Sequence, residues 1–229
     1  MIKLTKVPTH LAMILDGNGR WAIEHKKTRN YGHLMGVKNL KEIVKLVKSL
    51  NIKYLTLYCF SVDNMKRPTD EVNYLFDLAK DEFNNLLNRD DSINIRIIGE
   101  RSNLPSDLLK LIDEINSNDL IDGKFTLFIC FNYSSRLEII SASMNSKTKE
   151  EFESKLYTYP APPIDFLIRT SGEQRLSDFM LYQMSYAEMY FDKVYWPSFN
   201  EKHLMNALKN YEKRKRNFGK IWGVLWLKE

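Results

Sequence analysis

The residues best placed to do chemistry are Asp16-Gly17-Asn18-Gly19-Arg20, which follow an apolar run over 11–15 and precede Trp21. A strand that feeds a glycine-bearing loop and a helix start presents free backbone N–H groups and the positive end of a helix dipole to an anion. Glycine lets the backbone approach that anion closely. The loop is neither G-x-x-x-x-G-K-[ST] nor G-x-G-x-x-G, since no lysine follows the second glycine. It also places an acid where a phosphate would be repelled unless a cation lay between them. The pattern points to a diphosphate held by backbone amides and Arg20, with Asp16 on a Mg²⁺ ion. Read by itself, the stretch also fits an ordinary strand-to-helix turn in which Asp16 caps the helix.

Other polar groups fall in comparable places. Residues 61–67 (S-V-D-N-M-K-R), 132–136 (N-Y-S-S-R) and 169–177 (R-T-S-G-E-Q-R-L-S) each follow an apolar or aromatic run. Strands are predicted over 11–15, 52–60, 93–98, 124–131 and 164–168, with a short one over 193–195. Helical spacing of apolar residues predicts helices over 34–50, 69–87, 105–115, from Leu137 onward, over 179–187 and over 201–216. The alternation predicts an α/β fold: about six mostly parallel strands in a central sheet surrounded by helices, with residues 1–229 in a single domain. The carboxyl ends of such strands share one edge, where ligands bind. Arg20, Arg67, Arg136, Arg169 and Arg175 would meet there, with Arg29 close in sequence. Arginine clamps phosphates bidentately, so this edge reads as a site for two diphosphates.

Composition narrows the function class. Of 229 residues, 44% are hydrophobic and 28% charged, an ordinary globular balance. The net charge of +5 suits an anionic small substrate or a membrane surface. The basic residues are not interleaved with aromatics on one recognisable module, so no nucleic-acid partner is expected. Cys59 and Cys130 lack ligand spacing and read as buried reduced thiols, and His10 and His25 read as surface residues. The opening Met-Ile-Lys-Leu-Thr-Lys has no apolar signal region, and no run reaches the ~20 apolar residues of a membrane span. The expected location is cytoplasmic or peripheral to a membrane. For the latter, Lys213-Arg-Lys-Arg216 with Ile221-Trp-Gly-Val-Leu-Trp-Leu227 has the composition of an interfacial anchor, or of a tail packed on the body or on a partner subunit.

Taken together, L-D-G-N-G-R-W, R-N-Y-G-H, L-Y-C-F-S-V-D-N-M-K-R-P, F-N-Y-S-S-R, L-I-R-T-S-G-E-Q-R-L-S-D-F and Y-A-E-M-Y-F resemble the cis-prenyltransferases, in family order along nearly the whole chain. The resemblance implies a homodimer with a parallel sheet, surrounding helices and a hydrophobic tunnel. It implies Mg²⁺-dependent condensation of isopentenyl diphosphate, repeatedly, onto an allylic diphosphate such as farnesyl diphosphate. The product would be a long cis-polyprenyl diphosphate, undecaprenyl diphosphate for a cell-wall lipid carrier. By motif position, Asp16 would be the catalytic, metal-linked carboxylate. Gly17, Asn18, Gly19, Arg20 and Arg29 would hold the allylic diphosphate, with Trp21 and His33 beside it. Ser61, Val62, Asp63, Asn64, Met65 and Arg67 would form the loop serving condensation, with Asn64 at the position assigned to proton removal. Arg169, Arg175, Leu176 and Ser177 would bind isopentenyl diphosphate, and Glu188 matches a metal position.

The chain departs from the family pattern at Met65, where bacterial relatives usually carry an aromatic, and at Gln174, where many carry histidine. Serines replace glycines at 134, 135 and 171. Asp90-Asp91-Ser-Ile-Asn94 imitates the D-D-x-x-D motif of trans-prenyltransferases but fails at its last position and precedes a strand. An alternative reading, a non-catalytic partner subunit, would be expected to lose Asp16 or the arginines, and this chain keeps them.

Overall fold

Apolar side chains alternate along the strands and so divide the interior into two layers. Residues 4–87, 93–117, 125–144 and 146–216 are described by the structure, a computed structural model. The described residues form six strands: β1 (His10–Ile14), β2 (Tyr54–Ser61), β3 (Ile93–Ile98), β4 (Phe125–Tyr133), β5 (Phe166–Arg169) and β6 (Glu188–Phe191). They form one sheet in the order β3-β4-β2-β1-β5-β6, with every neighbouring pair parallel. The helices are α1 (Asn18–Glu24), α2 (Arg29–Ser49), α3 (Thr69–Leu87), α4 (Ser106–Ser117), α5 (Ser135–Met144), α6 (Lys149–Ser154) and α7 (Glu201–Glu212).

The larger core joins Leu11 and Met13 of β1, Leu55 and Leu57 of β2 and Leu127 and Ile129 of β4 to the inner faces of α2, α3, α4 and α7. The opposite face carries Ala12, Ile14, Phe128, Cys130 and Leu167, and is covered by Phe179, Met180 and Met184. That cover corrects an expectation, since 179–187 is a run of turns and not a helix. Ser177, Asp178 and Met180 have φ of 52°, 61° and 45°. Right-handed helix is closed to such residues.

Three other readings change. The last strand is β6 at Glu188–Phe191, pairing in parallel with β5, and not 193–195. His10 is fully buried, not superficial, because its ring bridges Thr56 and the Pro162 carbonyl. Helix α2 begins at Arg29, where the Thr28 hydroxyl accepts the Tyr31 N–H, so Arg29 and His33 stand on the same helix one turn apart. The Asp90–Asp91 stretch and the tail beyond Arg216 lie outside the described residues.

An irregularity in β2 bears on the site. Tyr58 pairs with Cys130 and Phe60 with Phe131, which leaves Cys59 as an extra residue on β2. Such a bulge breaks the inside–outside alternation. Phe60 turns into the larger core and stacks on Phe131 at 5.2 Å, backed by Phe76 and Phe83. Cys59, expected to be buried, is exposed to the cavity that opens there.

Candidate active site

A cavity of about 310 Å³ opens at the carboxyl ends of β1, β2 and β5. Its polar wall is Asp16, Gly17, Asn18, Gly19, Arg20, Arg29, His33, Ser61, Asn64, Arg67, Arg169, Arg175 and Ser177. Its apolar wall includes Tyr58, Cys59, Phe60 and Leu75. The sheet topology explains the gathering, because residues that end parallel neighbours come to one edge whatever their distance in sequence.

Asp16 does not cap α1; Gly17 is the N-cap and supplies no side-chain hydrogen bond. The Asp16 carboxylate instead receives Arg169 Nη2 at 2.9 Å and Arg20 Nη2 at 3.1 Å. Its backbone carbonyl accepts from the Thr170 hydroxyl and from the Trp196 N–H. Burial works against ionisation of Asp16, but the hydrogen bonds and charges of Arg169 and Arg20 outweigh it and hold its carboxyl below the usual range. Arg169 is itself 3% exposed, reaching Ser177 Oγ at 2.9 Å and the Arg175 carbonyl. Arg20 also donates to Ser171 Oγ and to Glu173, and Glu173 in turn accepts from Arg175. Glu173 thus ties the glycine loop to the segment after β5.

A second group stands across the loop, organised by Glu71 in the first turn of α3. Its Oε2 accepts from Arg29 Nε at 2.9 Å, and its Oε1 from Arg29 Nη2 at 3.2 Å, His33 Nε2 at 3.1 Å and Arg67 Nη1 at 3.2 Å. A carboxylate only accepts, so His33 carries its proton on Nε2 and keeps Nδ1 as an acceptor. Burial, with Arg67 and Arg29 nearby, outweighs the help of Glu71 and lowers the His33 pKa, so the ring is neutral near pH 7.

Ser61 and Asn64 cap the 3₁₀ turn Val62–Lys66 reciprocally: the Asn64 N–H donates to Ser61 Oγ and the Ser61 N–H donates to Asn64 Oδ1. Because an N–H faces Oδ1, the amide orientation is fixed by chemistry, and Nδ2 is left as a donor.

Several expected members do not reach the cavity wall. Trp21 turns aside to donate to Ser198 Oγ and to stack on His25 and Tyr31. Asp63 pairs with Lys66 on the outside, Met65 packs on the larger core and Leu176 on the smaller one. Val62 sits in the capped turn and is also absent from the wall. Arg136 pairs with Asp178. Glu188 is the largest displacement: its register partner is Phe166, at the far end of β5 from Arg169, and its carboxylate pairs with Arg214 at 2.8 Å. Within this chain it does not approach Asp16. Sequence reasoning in turn missed Glu71 and Glu173. An acid in the first turn of a helix is favoured by the dipole alone, so Glu71 carried no distinguishing signal.

The prenyltransferase family model described as "Putative undecaprenyl diphosphate synthase" matches residues 14–219. The chain belongs to this family, the cis-prenyltransferases. Isoprenyl transferase of Fusobacterium nucleatum is 39% identical over 230 residues, covering 95% of this chain and 98% of that protein. The Micrococcus luteus protein named ditrans,polycis-undecaprenyl-diphosphate synthase ((2E,6E)-farnesyl-diphosphate specific) is 38% identical, covering 95% and 94%. Among solved structures, lavandulyl diphosphate synthase from Lavandula x intermedia in complex with dimethylallyl diphosphate matches with a TM-score of 0.87 at 31% identity, covering 93% of this chain and 99% of that one. A probable undecaprenyl diphosphate synthase from Campylobacter jejuni matches with a TM-score of 0.78 at 27% identity, covering 94% and 100%. The cis-prenyltransferase fold is therefore the six-stranded parallel sheet described above, and the chain is a transferase of prenyl groups.

Proposed function

We propose that this cis-prenyltransferase condenses isopentenyl diphosphate repeatedly onto an allylic diphosphate, farnesyl diphosphate, in a Mg²⁺-dependent reaction. Its product on this reading is undecaprenyl diphosphate, for a cell-wall lipid carrier. The observation that carries the reading is the pair of arginine groups, Arg29 with Arg67 and Arg20 with Arg169 and Arg175, facing one cavity from either side of the Gly17–Gly19 loop. Two anchors for two diphosphates bring the allylic carbon and the attacking alkene into near-attack geometry.

In each cycle the allylic C–O bond breaks, and its electron pair leaves on the diphosphate. The π electrons of isopentenyl diphosphate form the new C–C bond, and a proton is lost from the carbon beside the resulting cation. Arg29, Arg67 and the first-turn N–H groups of α1 would stabilise the growing negative charge on the leaving diphosphate. Arg169, Arg175 and Ser177 would hold the isopentenyl diphosphate. Asn64 has its oxygen committed to Ser61 and offers only a donor, so it orients a phosphate oxygen that takes the proton and is not the base itself.

Among the described residues no group of three His, Cys, Asp or Glu side chains could hold a metal. The ionised Asp16 nevertheless fits Mg²⁺, which commonly binds through one or two carboxylates plus substrate phosphates. When bound, the ion would neutralise charge on the diphosphates. A homodimer would cover Leu137, Ile140 and Met144, which lie exposed along α5. The enzyme would act in the cytoplasm or at the inner face of a membrane; no helix among the described residues is long and apolar enough to cross one.

The test is incubation with farnesyl diphosphate, radiolabelled isopentenyl diphosphate and Mg²⁺, with Asp16→Ala alongside, reading product length by chromatography. A Mg²⁺-dependent ladder ending near undecaprenyl diphosphate and lost in Asp16→Ala is expected. Absence of product from any allylic primer would overturn the reading.

A further inference from the structure

We propose that Glu71 is the positioning residue of the allylic half of the site, setting Arg29, His33 and Arg67 in one fixed arrangement from beneath the cavity. The inference rests on the reading above that these three side chains meet a diphosphate. Glu71 is 8% exposed and is not part of the cavity wall, so it acts only through its partners.

The geometry is specific. Its two oxygens accept from Arg29 Nε, Arg29 Nη2, His33 Nε2 and Arg67 Nη1, all between 2.9 and 3.2 Å. With Nε and Nη2 engaged, Arg29 retains Nη1, and a Cβ built on Gly19 would lie 2.6 Å from that atom. The guanidinium therefore lies against the glycine loop, with its free edge beside the loop's backbone. Arginine side chains lose considerable rotamer freedom on binding, and a site that has already fixed them binds more tightly. Asp16 and Glu173 organise the other arginines and share no partner with Glu71.

A purely electrostatic role makes the opposite prediction. Two guanidinium charges against one carboxylate leave a single net positive charge, and removing the carboxylate would raise it. If Glu71 were only a neutralising charge, Glu71→Gln would bind a diphosphate more tightly. As a positioning residue, the same variant binds it more weakly.

Calorimetric titration of farnesyl diphosphate into the wild-type enzyme, Glu71→Gln and Glu71→Asp distinguishes the two. The expected result is weakening in both variants, on the order of tenfold to a hundredfold for Glu71→Gln, the range of charge-assisted hydrogen bonds. The KM for isopentenyl diphosphate stays where it was in the same preparations. Unchanged or tighter binding by Glu71→Gln overturns the proposal. Should both variants fail to fold, ¹⁵N spectra of arginine side chains in the ligand-free wild-type protein decide. Slow rotation of the Arg29 guanidinium is expected, and free rotation overturns the proposal. A wild-type protein that does not bind farnesyl diphosphate at all would instead refute the functional reading.

Discussion

Gly32→Ala sets two elementary effects against each other. Gly32 lies inside α2, and alanine in a helix interior is favoured over glycine by about 1 kcal/mol, so local propensity predicts a stabler protein. Yet a Cβ on Gly32 would sit 2.1 Å from the Asn18 carbonyl oxygen and 2.8 Å from its carbon, both backbone atoms of the glycine loop. No rotamer change relieves a clash with backbone, so α2 or the loop must move by roughly an ångström. Overpacking of this kind costs up to about 3 kcal/mol, which exceeds the propensity gain and leaves a net loss of about 2 kcal/mol. For a chain of this length that is a fall in Tm of roughly 4–8 °C. Activity should suffer more than stability, since a misplacement of about 1 Å can cost a hundredfold in rate. Thermal melting and kcat/KM for the allylic diphosphate check both parts. A raised Tm with unchanged kcat/KM would refute the reasoning and show that α2 and the loop are not locked together. Gly36→Ala, whose Cβ would meet the Asn18 side-chain oxygen at 2.3 Å, should be milder because a side chain can turn.

Two further outcomes are expected. His10 donates from Nδ1 to the Pro162 carbonyl and accepts from Thr56 at Nε2, and burial lowers its pKa to about 4 against 6.5 when unfolded. A folded pKa below the unfolded one means that the unfolded chain takes up the proton first as pH falls. Stability should therefore drop by about 3 kcal/mol between pH 6.5 and 4, and chemical denaturation of His10→Asn should lack that slope. Phe131→Ala removes the ring on which Phe60 stacks at the apolar end of the cavity. It should cost about 3–5 kcal/mol of stability and shift the product ladder to longer chains; an unchanged ladder would place the chain-stopping contact elsewhere.

What could be read from the sequence was what is local. The apolar runs before Asp16, Ser61 and Arg169 identify strands, and parallel topology then forces their polar ends together. Arg20, Arg67, Arg169 and Arg175 followed from that rule, whereas Arg29 reaches the cavity from the start of α2 and Arg136, which the rule also placed there, pairs with Asp178 instead. Failures came where a non-local fact decides. Phe179, Met180 and Met184 have spacing compatible with a helix face, but left-handed residues at 177, 178 and 180 convert the segment into turns. The expectation for Glu188 rests on its motif position alone, which carries no register, and its pairing with Phe166 sets it at the end of β5 far from Arg169. Cys59 reaches the cavity because β2 bulges against β4, which no periodicity announces. His10 looked superficial because its partners lie 46 and 152 residues away.

The place of β1 in the sheet has a consequence for synthesis of the protein. β1 is made early, yet one of its two partners, β5, is about 150 residues downstream. Until Phe166–Arg169 leaves the ribosome, a nascent sheet of β3-β4-β2-β1 ends in a fully buried-type apolar edge strand with unpaired backbone groups. Such an edge invites pairing with other chains. A fragment stopping before β5 should therefore aggregate and not persist as a soluble half-enzyme. The insertion that seals the edge also delivers Arg169 to Asp16, so arrival of β5 both protects the nascent chain and completes the ion pair at the mouth of the cavity.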